Sequence, residues 1–138
     1  MQPMDDCIFC KIVEGSIPSE KVYEDEQVLA FLDITPVNKG HTLVIPKTHH
    51  ENIYALPDSA LDAMMHTVRD LAPRIKHATN ADGINVIVNN EGAAGQIIFH
   101  IHCHIIPRFT EDGFRHWKGV AYDPGEQQEM GSRIRAAV

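Results

Sequence analysis

The chain has 138 residues, of which 43% are hydrophobic and 22% charged, and its formal net charge is -7 at pH 7. This length can bury one hydrophobic core but is short for two, so we predict a single domain over residues 1–138, with a core at about 5–110 and a tail at 111–138. The negative charge argues against a general nucleic-acid binder, because duplex binding depends on Lys and Arg displacing counterions. No apolar run approaches the roughly 20 residues that span a bilayer, so no membrane partner is expected.

The cysteines and the N-terminal segment bear on the compartment. The segment "MQPMDDCIFC" lacks a basic region followed by an apolar run, which disfavours secretion. Three cysteines are an odd number, and a disulfide framework is therefore a poor interpretation. We expect a cytoplasmic protein in which Cys7 and Cys10 are thiolates available to a metal.

The first strands are predicted before residue 50. Residues 21–33 contain two β-rich pieces around the acidic turn "EDEQ", which predicts a hairpin. Residues 42–46, "TLVIP", read as a buried strand that ends at Pro46, because proline lacks the N–H that a strand ladder requires.

A long helix is predicted to start after Pro57, with Asp58 or Ser59 as its cap. Pro73 lies inside the helical pattern and should kink or split the helix. The segment "PGEQQEMGSRIRAAV" predicts a last helix. The apolar residues at helical spacing in the long helix are Leu61, Met64, Met65, Val68, Leu71 and Ile75.

The second half of the chain contains two more predicted strands. "INVIVNN", residues 84–90, is typical of a central strand, and the flexible loop "EGAAGQ" leads to a strand at 97–106. Strands around one long helix indicate an α+β domain, and the short connections favour an antiparallel sheet.

Three histidines alternate along the last predicted strand. On a strand, His100, His102 and His104 share one face, while the opposite face carries Phe99, Ile101, Cys103 and Ile105. Side chains two apart lie about 6.5 Å from one another. Three such histidines therefore reach one metal ion poorly, although two can. A row of imidazoles suits phosphorus chemistry, in which a neutral histidine attacks an α-phosphate and its neighbours assist the oxygens or the leaving group.

The stretches "CIFCKIVEGSIPS", "GHTLVIPKTHHENI", "GQIIF" and "HIHCHIIPR" together resemble the histidine-triad (HIT) superfamily of nucleotide hydrolases and transferases, close to its Hint branch. The resemblance implies a HIT-like α+β fold with a five-stranded antiparallel sheet, one long helix and a short helix. It also implies a homodimer joined partly through the long helix, and a purine nucleotide as substrate.

The same resemblance implies roles for individual residues. His102 would be the nucleophile that forms a nucleotidyl-histidine, and His104 would contact the α-phosphate or the bridging atom. Asp33 would hold the ribose hydroxyls and Ile34 would contact the nucleoside. For His41, a supporting role in the sheet and a role at the active-site edge both remain open. The family positions around the phosphate and the leaving group are Asn89, Gly95, Gln96 and Ile97, the last replacing a serine of the Hint branch that helps the leaving group.

A structural zinc site is the second expectation. Cys7 and Cys10 form a Cys-x-x-Cys pair, which can grip one tetrahedral ion, although many such pairs bind nothing. The resemblance supplies His49 and His100 as the other ligands, with His50 as the alternative to His49. Four protein ligands would leave no open position for water. The histidines at 66, 77 and 116 are predicted to face solvent.

The leading functional hypothesis is a nucleoside phosphoramidase or nucleotidyl hydrolase, similar to an adenosine 5'-monophosphoramidase, that acts on AMP or GMP conjugates and needs no cofactor for the chemistry. Two alternatives remain open. One is a dinucleoside polyphosphate hydrolase of the Fhit branch, and the other is a nucleotide-binding interaction protein whose hydrolysis is incidental.

Overall fold

The computed structural model describes residues 4–137. Its strands are β1 (Lys21–Glu24), β2 (Val28–Leu32), β3 (Thr42–Pro46), β4 (Gly83–Val88) and β5 (Cys103–Arg108), and its α-helices are α1 (Ile8–Glu14), α2 (Asp58–Thr79) and α3 (Glu126–Ala136). The five strands form one sheet in the order β1-β2-β3-β5-β4, and every neighbouring pair is antiparallel. The predicted α+β class and five-stranded antiparallel sheet are confirmed.

The predicted hairpin of residues 21–33 is the pair β1 and β2. Asp25 shapes its turn, because its Oδ1 accepts hydrogen bonds of 2.8 Å from the backbone N–H groups of Gln27 and Val28. The strand at 42–46 is also confirmed, and it ends at Pro46 opposite Val28.

The sheet is covered on both faces, so β2 and residues 43–46 of β3 are apolar, and the polar Thr42 at the start of β3 is also buried. Alternation sends Val28, Ala30 and Val44 towards α2 and turns their strand neighbours to the other face. On that other face, α1 contributes Phe9 and Ile12 to a second core cluster. The strand residues of the second cluster are Leu29, Phe31, Leu43 and Ile45.

Helix α2 is one unbroken helix of 22 residues that contains Pro73, so the predicted split does not occur. Packing of Val68, Leu71 and Ile75 against the sheet stabilises the helix on both sides of the proline. The predicted cap is also wrong, because Pro57 in extended conformation is the N-cap and Asp58 lies in the first turn. Within residues 4–137 no helix combines the length and apolarity needed to cross a bilayer.

Strand β4 is an edge strand, which corrects the prediction of a central strand. Its residues are half-buried or exposed, and Val86 is 45% exposed. Apolar composition alone does not separate an edge strand from a central one, because α2 covers one face of β4 in either position. The predicted last helix is confirmed as α3.

Strand β5 begins at Cys103 and carries only His104 of the three histidines, so the prediction of a strand over residues 97–106 is wrong over residues 97–102. The reason is local: His102 Nδ1 lies 2.8 Å from the backbone oxygen of His100, and this side-chain bond competes with a strand ladder. Ile101 instead donates its N–H to His50 O at 2.7 Å. The alternation of faces persists, because Ile101, Cys103 and Ile105 lie in the core beneath α2.

Candidate functional site

A cleft with a volume of ≈ 360 Å³ opens on the face of the sheet that α1 covers. Its walls are mostly apolar and come from α1, β2 and β3, while Asp33, His102 and His104 supply titratable groups. A small concave site with a few convergent polar groups is typical of ligand binding. The apolar wall residues include Ile8, Phe9, Ile12, Phe31 and Leu43.

Sequence reasoning missed the wall from α1. The signal was present, because Ile8, Phe9 and Ile12 have helical spacing and precede Gly15, which ends the helix with a φ of 89°. A glycine in this left-handed conformation is a common helix end.

His102 is 7% exposed and packs edge-on against the ring of Phe9, with ring centroids 5.1 Å apart. Its Nδ1 lies 2.8 Å from the backbone oxygen of His100. A carbonyl can only accept, so Nδ1 carries the proton and Nε2 keeps a lone pair on the side of the cleft. Burial is the largest influence on His102 and lowers its pKa, which keeps the ring neutral at pH 7.

His104 lies on β5 opposite Leu43 of β3, and a second histidine contacts it. His41 Nε2 lies 2.9 Å from His104 Nδ1, and His41 itself is only 3% exposed. Burial, followed by the neighbouring His102 and His41, lowers the pKa of His104 to about 4. Both imidazoles beside the cleft are therefore neutral at pH 7.

Asp33 follows β2 directly and lies at the same end of the cleft. Its Oδ1 accepts a 2.9 Å hydrogen bond from the N–H of Thr35, and its Oδ2 is 3.7 Å from His41 Nε2. Ile34 and Ile97 line the mouth with side chains that are 93% and 82% exposed. The cleft thus brings together six residues singled out from the sequence: Asp33, Ile34, Gly95, Ile97, His102 and His104.

Asn89 and Gln96 stand apart from the cleft lining. Gln96 is 3% exposed, and its side chain is bonded to backbone groups of the surrounding loops, with Nε2 donating to Glu51 O at 2.6 Å and Oε1 accepting from Glu91 N at 2.7 Å. The Nδ2 atom of Asn89 lies 3.6 Å from where a Cβ on Gly95 would stand. In this structure the Gln96 side chain therefore holds the loop that contributes Gly95, and Asn89 lies beside Gly95.

Charge at the cleft comes from Asp33 and not from cations. In the part of the chain that the structure describes, no Lys or Arg lines the cleft. A bound phosphate would therefore be met by imidazole N–H and backbone N–H groups.

The histidines at 66, 77 and 116 are exposed, as predicted.

Cys7, Cys10, His49 and His100 form a separate cluster whose ligand atoms all lie within 4.8 Å of one another. The Sγ of Cys7 is 3.5 Å from His100 Nδ1, and the Sγ of Cys10 is 3.4 Å from His49 Nδ1 and 3.6 Å from His100 Nδ1. Zn–S bonds of about 2.3 Å and Zn–N bonds of about 2.0–2.1 Å in a tetrahedron place sulfur and nitrogen about 3.6 Å apart. The donor set and its spacing fit zinc.

The choice between His49 and His50 follows from their partners. His50 Nε2 lies 2.8 Å from Thr48 Oγ1, away from the cysteines, whereas His49 contacts Cys10. His100 Nε2 lies 2.8 Å from Pro46 O, so it carries the proton and leaves Nδ1 free for a metal.

Comparison with known proteins gives consistent matches over most of the chain. The family model described as "HIT domain" matches residues 14–111. "Protein hit" of Bacillus subtilis (strain 168) is 51% identical over 138 residues, covering 97% of this chain and 95% of that protein. "Adenosine 5'-monophosphoramidase hnt1" of Schizosaccharomyces pombe is 40% identical over 138 residues, covering 96% of this chain and 98% of that protein.

Solved structures match in the same way. The crystal structure of a HIT family member from Bacillus subtilis superposes with a TM-score of 0.89 at 50% identity, covering 96% of this chain and 97% of that one. A Zn-bound histidine triad family protein from Mycobacterium smegmatis superposes with a TM-score of 0.77 at 38% identity, covering 97% and 94% of the two chains.

Proposed function

The chain belongs to the HIT domain family, and from this membership we propose that it is a hydrolase that cleaves purine nucleotide conjugates at the α-phosphate through a nucleotidyl-His102 intermediate. The observation that carries the proposal is the tautomer of the His102 side chain. Its Nδ1 proton is held by the backbone oxygen of His100, so the lone pair of Nε2 is available in the cleft. The relative named as an adenosine 5'-monophosphoramidase supports this class of substrate.

The reaction has two steps. In the first, the lone pair of His102 Nε2 attacks the α-phosphorus, a P–N bond forms, and the bond from phosphorus to the leaving group breaks. The leaving group takes a proton from the N–H of His104. In the second step water attacks the same phosphorus and the P–N bond breaks. The nucleoside monophosphate leaves, and the proton released by water returns to His104.

The rest of the cleft would hold the nucleotide. Asp33 would accept hydrogen bonds from the ribose hydroxyls, and Ile34 with the apolar wall of α1 would contact the base. Gly95 permits close approach of backbone N–H groups to the phosphate. Ile97 would face the leaving group, and Asn89 and Gln96 would lie near the phosphate and the leaving group, with Gln96 acting through the loop that it holds.

The leaving group distinguishes the leading hypothesis from dinucleoside polyphosphate hydrolysis. A polyphosphate chain carries negative charges that cations usually balance, whereas the cleft offers the apolar Ile97 and no lining Lys or Arg among the described residues. A small amine asks for a proton, which His104 can supply. We therefore expect a higher kcat/KM for adenosine 5'-phosphoramidate than for diadenosine polyphosphates. The opposite ranking would favour the Fhit-type activity.

The intermediate itself provides the direct test. Protein mixed with adenosine 5'-phosphoramidate, quenched in base and digested should carry a nucleotide on the peptide that contains residue 102. His102→Ala should lose both the label and turnover, while His66→Ala, an exposed histidine of α2, should keep both. Turnover without a label on His102 would contradict the mechanism. If His102→Ala lost hydrolysis but left the cellular phenotype unchanged, the interaction-protein alternative would gain support.

We also propose that Cys7, Cys10, His49 and His100 bind one structural zinc ion. The ion would tie α1 to the segment that precedes β5 and so hold the backbone two residues before His102. Cys7→Ser should lose stoichiometric zinc and much of the thermal stability. Cys103→Ala removes a buried thiol that lies outside the cluster, and it should keep the zinc. Purified wild-type protein without zinc, and a stable Cys7→Ser variant, would exclude the site.

A homodimer is the expected assembly. It is supported by the edge position of β4, where Val86 is 45% exposed, and by the 39% exposed Met65 on α2. Light scattering should give twice the chain mass, and Val86→Lys should lower it towards one chain. A location in the cytoplasm, and the lack of membrane and nucleic-acid partners, stay predictions.

A further inference from the structure

His41 lies in the loop between β2 and β3, and a backbone group determines where its proton resides. The N–H of Val37 points at His41 Nδ1 at 3.1 Å. A backbone N–H can only donate, so Nδ1 is the acceptor and carries no proton. The ring is 3% exposed, and burial lowers its pKa, so it is neutral. A neutral imidazole without a proton on Nδ1 must carry it on Nε2.

The tautomer of His41 then determines that of His104. Nε2 of His41 lies 2.9 Å from Nδ1 of His104. Because His41 donates from Nε2, His104 accepts on Nδ1 and keeps its own proton on Nε2. That nitrogen is the one left for the cleft, which His104 lines.

The neighbouring triad histidine has the opposite arrangement. His102 donates from Nδ1 to the backbone oxygen of His100, 2.8 Å away, and offers a lone pair at Nε2. The two rings are close, with centroids 4.9 Å apart. One cleft therefore presents an acceptor nitrogen and a donor nitrogen side by side. The backbone oxygen of His100 sets the tautomer of His102 directly, whereas the N–H of Val37 sets that of His104 through His41.

We propose that His41 is a positioning residue that holds His104 as the Nε2–H tautomer, so that His104 presents a hydrogen-bond donor to the phosphate or the leaving group. The consequence for turnover rests on the proposed function. The tautomer itself does not, because it follows from the chain of hydrogen bonds from Val37 through His41 to His104.

The same chain excludes another use of these residues. Asp33, His41 and His104 have ligand atoms within 4.8 Å of one another, a spacing that can hold a metal ion. A metal needs lone pairs, whereas Nε2 of His41 carries the proton that Val37 keeps off Nδ1. The cluster is therefore a hydrogen-bond relay and not a cation site.

The primary test is nuclear magnetic resonance, with long-range ¹H–¹⁵N correlation spectra of histidine side chains in the zinc-loaded protein. We expect Nε2–H for His41 and His104, and Nδ1–H for His102. In His41→Leu, His104 should become a mixture of tautomers. His41→Gln retains an amide N–H that can face His104 and should preserve its Nε2–H state. A wild-type His104 protonated on Nδ1, or a His104 tautomer unchanged in His41→Leu, would overturn the proposal.

Kinetics provide the second readout. In His41→Leu, kcat should fall by about tenfold, which corresponds to one lost hydrogen bond, while KM stays within about twofold. His41→Gln should recover most of kcat, which a merely space-filling role for His41 would not explain. Equal loss in both variants despite native circular dichroism would count against the relay. If wild-type protein turned over no nucleotide, the proposed function would fail while the spectra still decided the tautomer.

Discussion

Replacement of Gly40 is the sharpest test of the conformation and packing of the loop that carries His41. Its φ is +103°, and a Cβ at this position would stand 2.6 Å from Cγ2 of Thr79 at the end of α2. Gly40→Ala therefore imposes two separate costs. A left-handed backbone costs an L-residue about 1–2 kcal/mol, and overpacking against a helix costs about 1–3 kcal/mol.

The expected total is about 3 kcal/mol in the free energy of unfolding. For 138 residues, an unfolding entropy of about 2.1 cal/mol/K per residue converts this to a fall in Tm of about 10 °C. Urea denaturation followed by circular dichroism, at one protein concentration and with zinc present, measures the free energy directly.

The two costs can be separated with a second substitution. Thr79→Ser removes Cγ2 but keeps the hydroxyl that donates to Ile75 O at 2.8 Å. In that background Gly40→Ala should cost only the backbone share, about 1–2 kcal/mol. Gly113→Ala is the matched control, because Gly113 has a φ of +80° with nothing within 4 Å of its Cβ position. It should also cost only the backbone share of about 1–2 kcal/mol. An equal cost of Gly40→Ala with Thr79 and with Ser at position 79 would refute the reasoning.

Two further predictions concern the ion pair after β5 and the wall of the cleft. The Arg108 guanidinium lies 2.7 Å from Asp112 and holds the pKa of that carboxyl well below its usual range. The stabilisation of the fold by this ion pair is therefore full above about pH 4 and declines as pH falls towards the lowered pKa of Asp112. The stability difference between wild type and Asp112→Asn should therefore be largest at neutral pH and shrink in acid, and a difference that stayed constant down to pH ~2 would contradict this assignment. Phe9 is 6% exposed beside His102, so Phe9→Ala should cost about 3–5 kcal/mol in urea denaturation, and a cost under about 1 kcal/mol would show that the wall is not packed.

Much of the fold follows from local patterns in the chain. The short apolar runs "VLAFL" and "TLVIP" are typical of strands buried on both faces, and the helical spacing from Leu61 to Ile75 is typical of a helix with one buried face, so β2, β3 and α2 were predictable. The turn residues around Asp25 likewise predicted the hairpin. These features depend on neighbours within a few positions, which the sequence displays directly.

The edge position of β4 and the irregular backbone before Cys103 were not predictable in this way. Strand order depends on pairing between distant segments, and an apolar strand pattern is the same at the edge and in the centre. The break at residues 97–102 depends on hydrogen bonds of His100, His102 and Ile101 that compete with the ladder. The strand propensities of the residues do not reveal that competition.

The same distinction between local sequence pattern and packing of distant segments applies to the candidate site. The amino-acid sequence by itself determined which groups are candidates for chemistry: three alternating histidines, a Cys-x-x-Cys pair and an acidic residue after a strand. Only the tertiary structure decided that His49 and not His50 faces the cysteines, that α1 forms a wall of the cleft, and that His41 contacts His104 across 63 positions of the chain. The physical reason is that residue type sets what a side chain can donate or accept, whereas its partner is set by the packing of segments far apart in sequence.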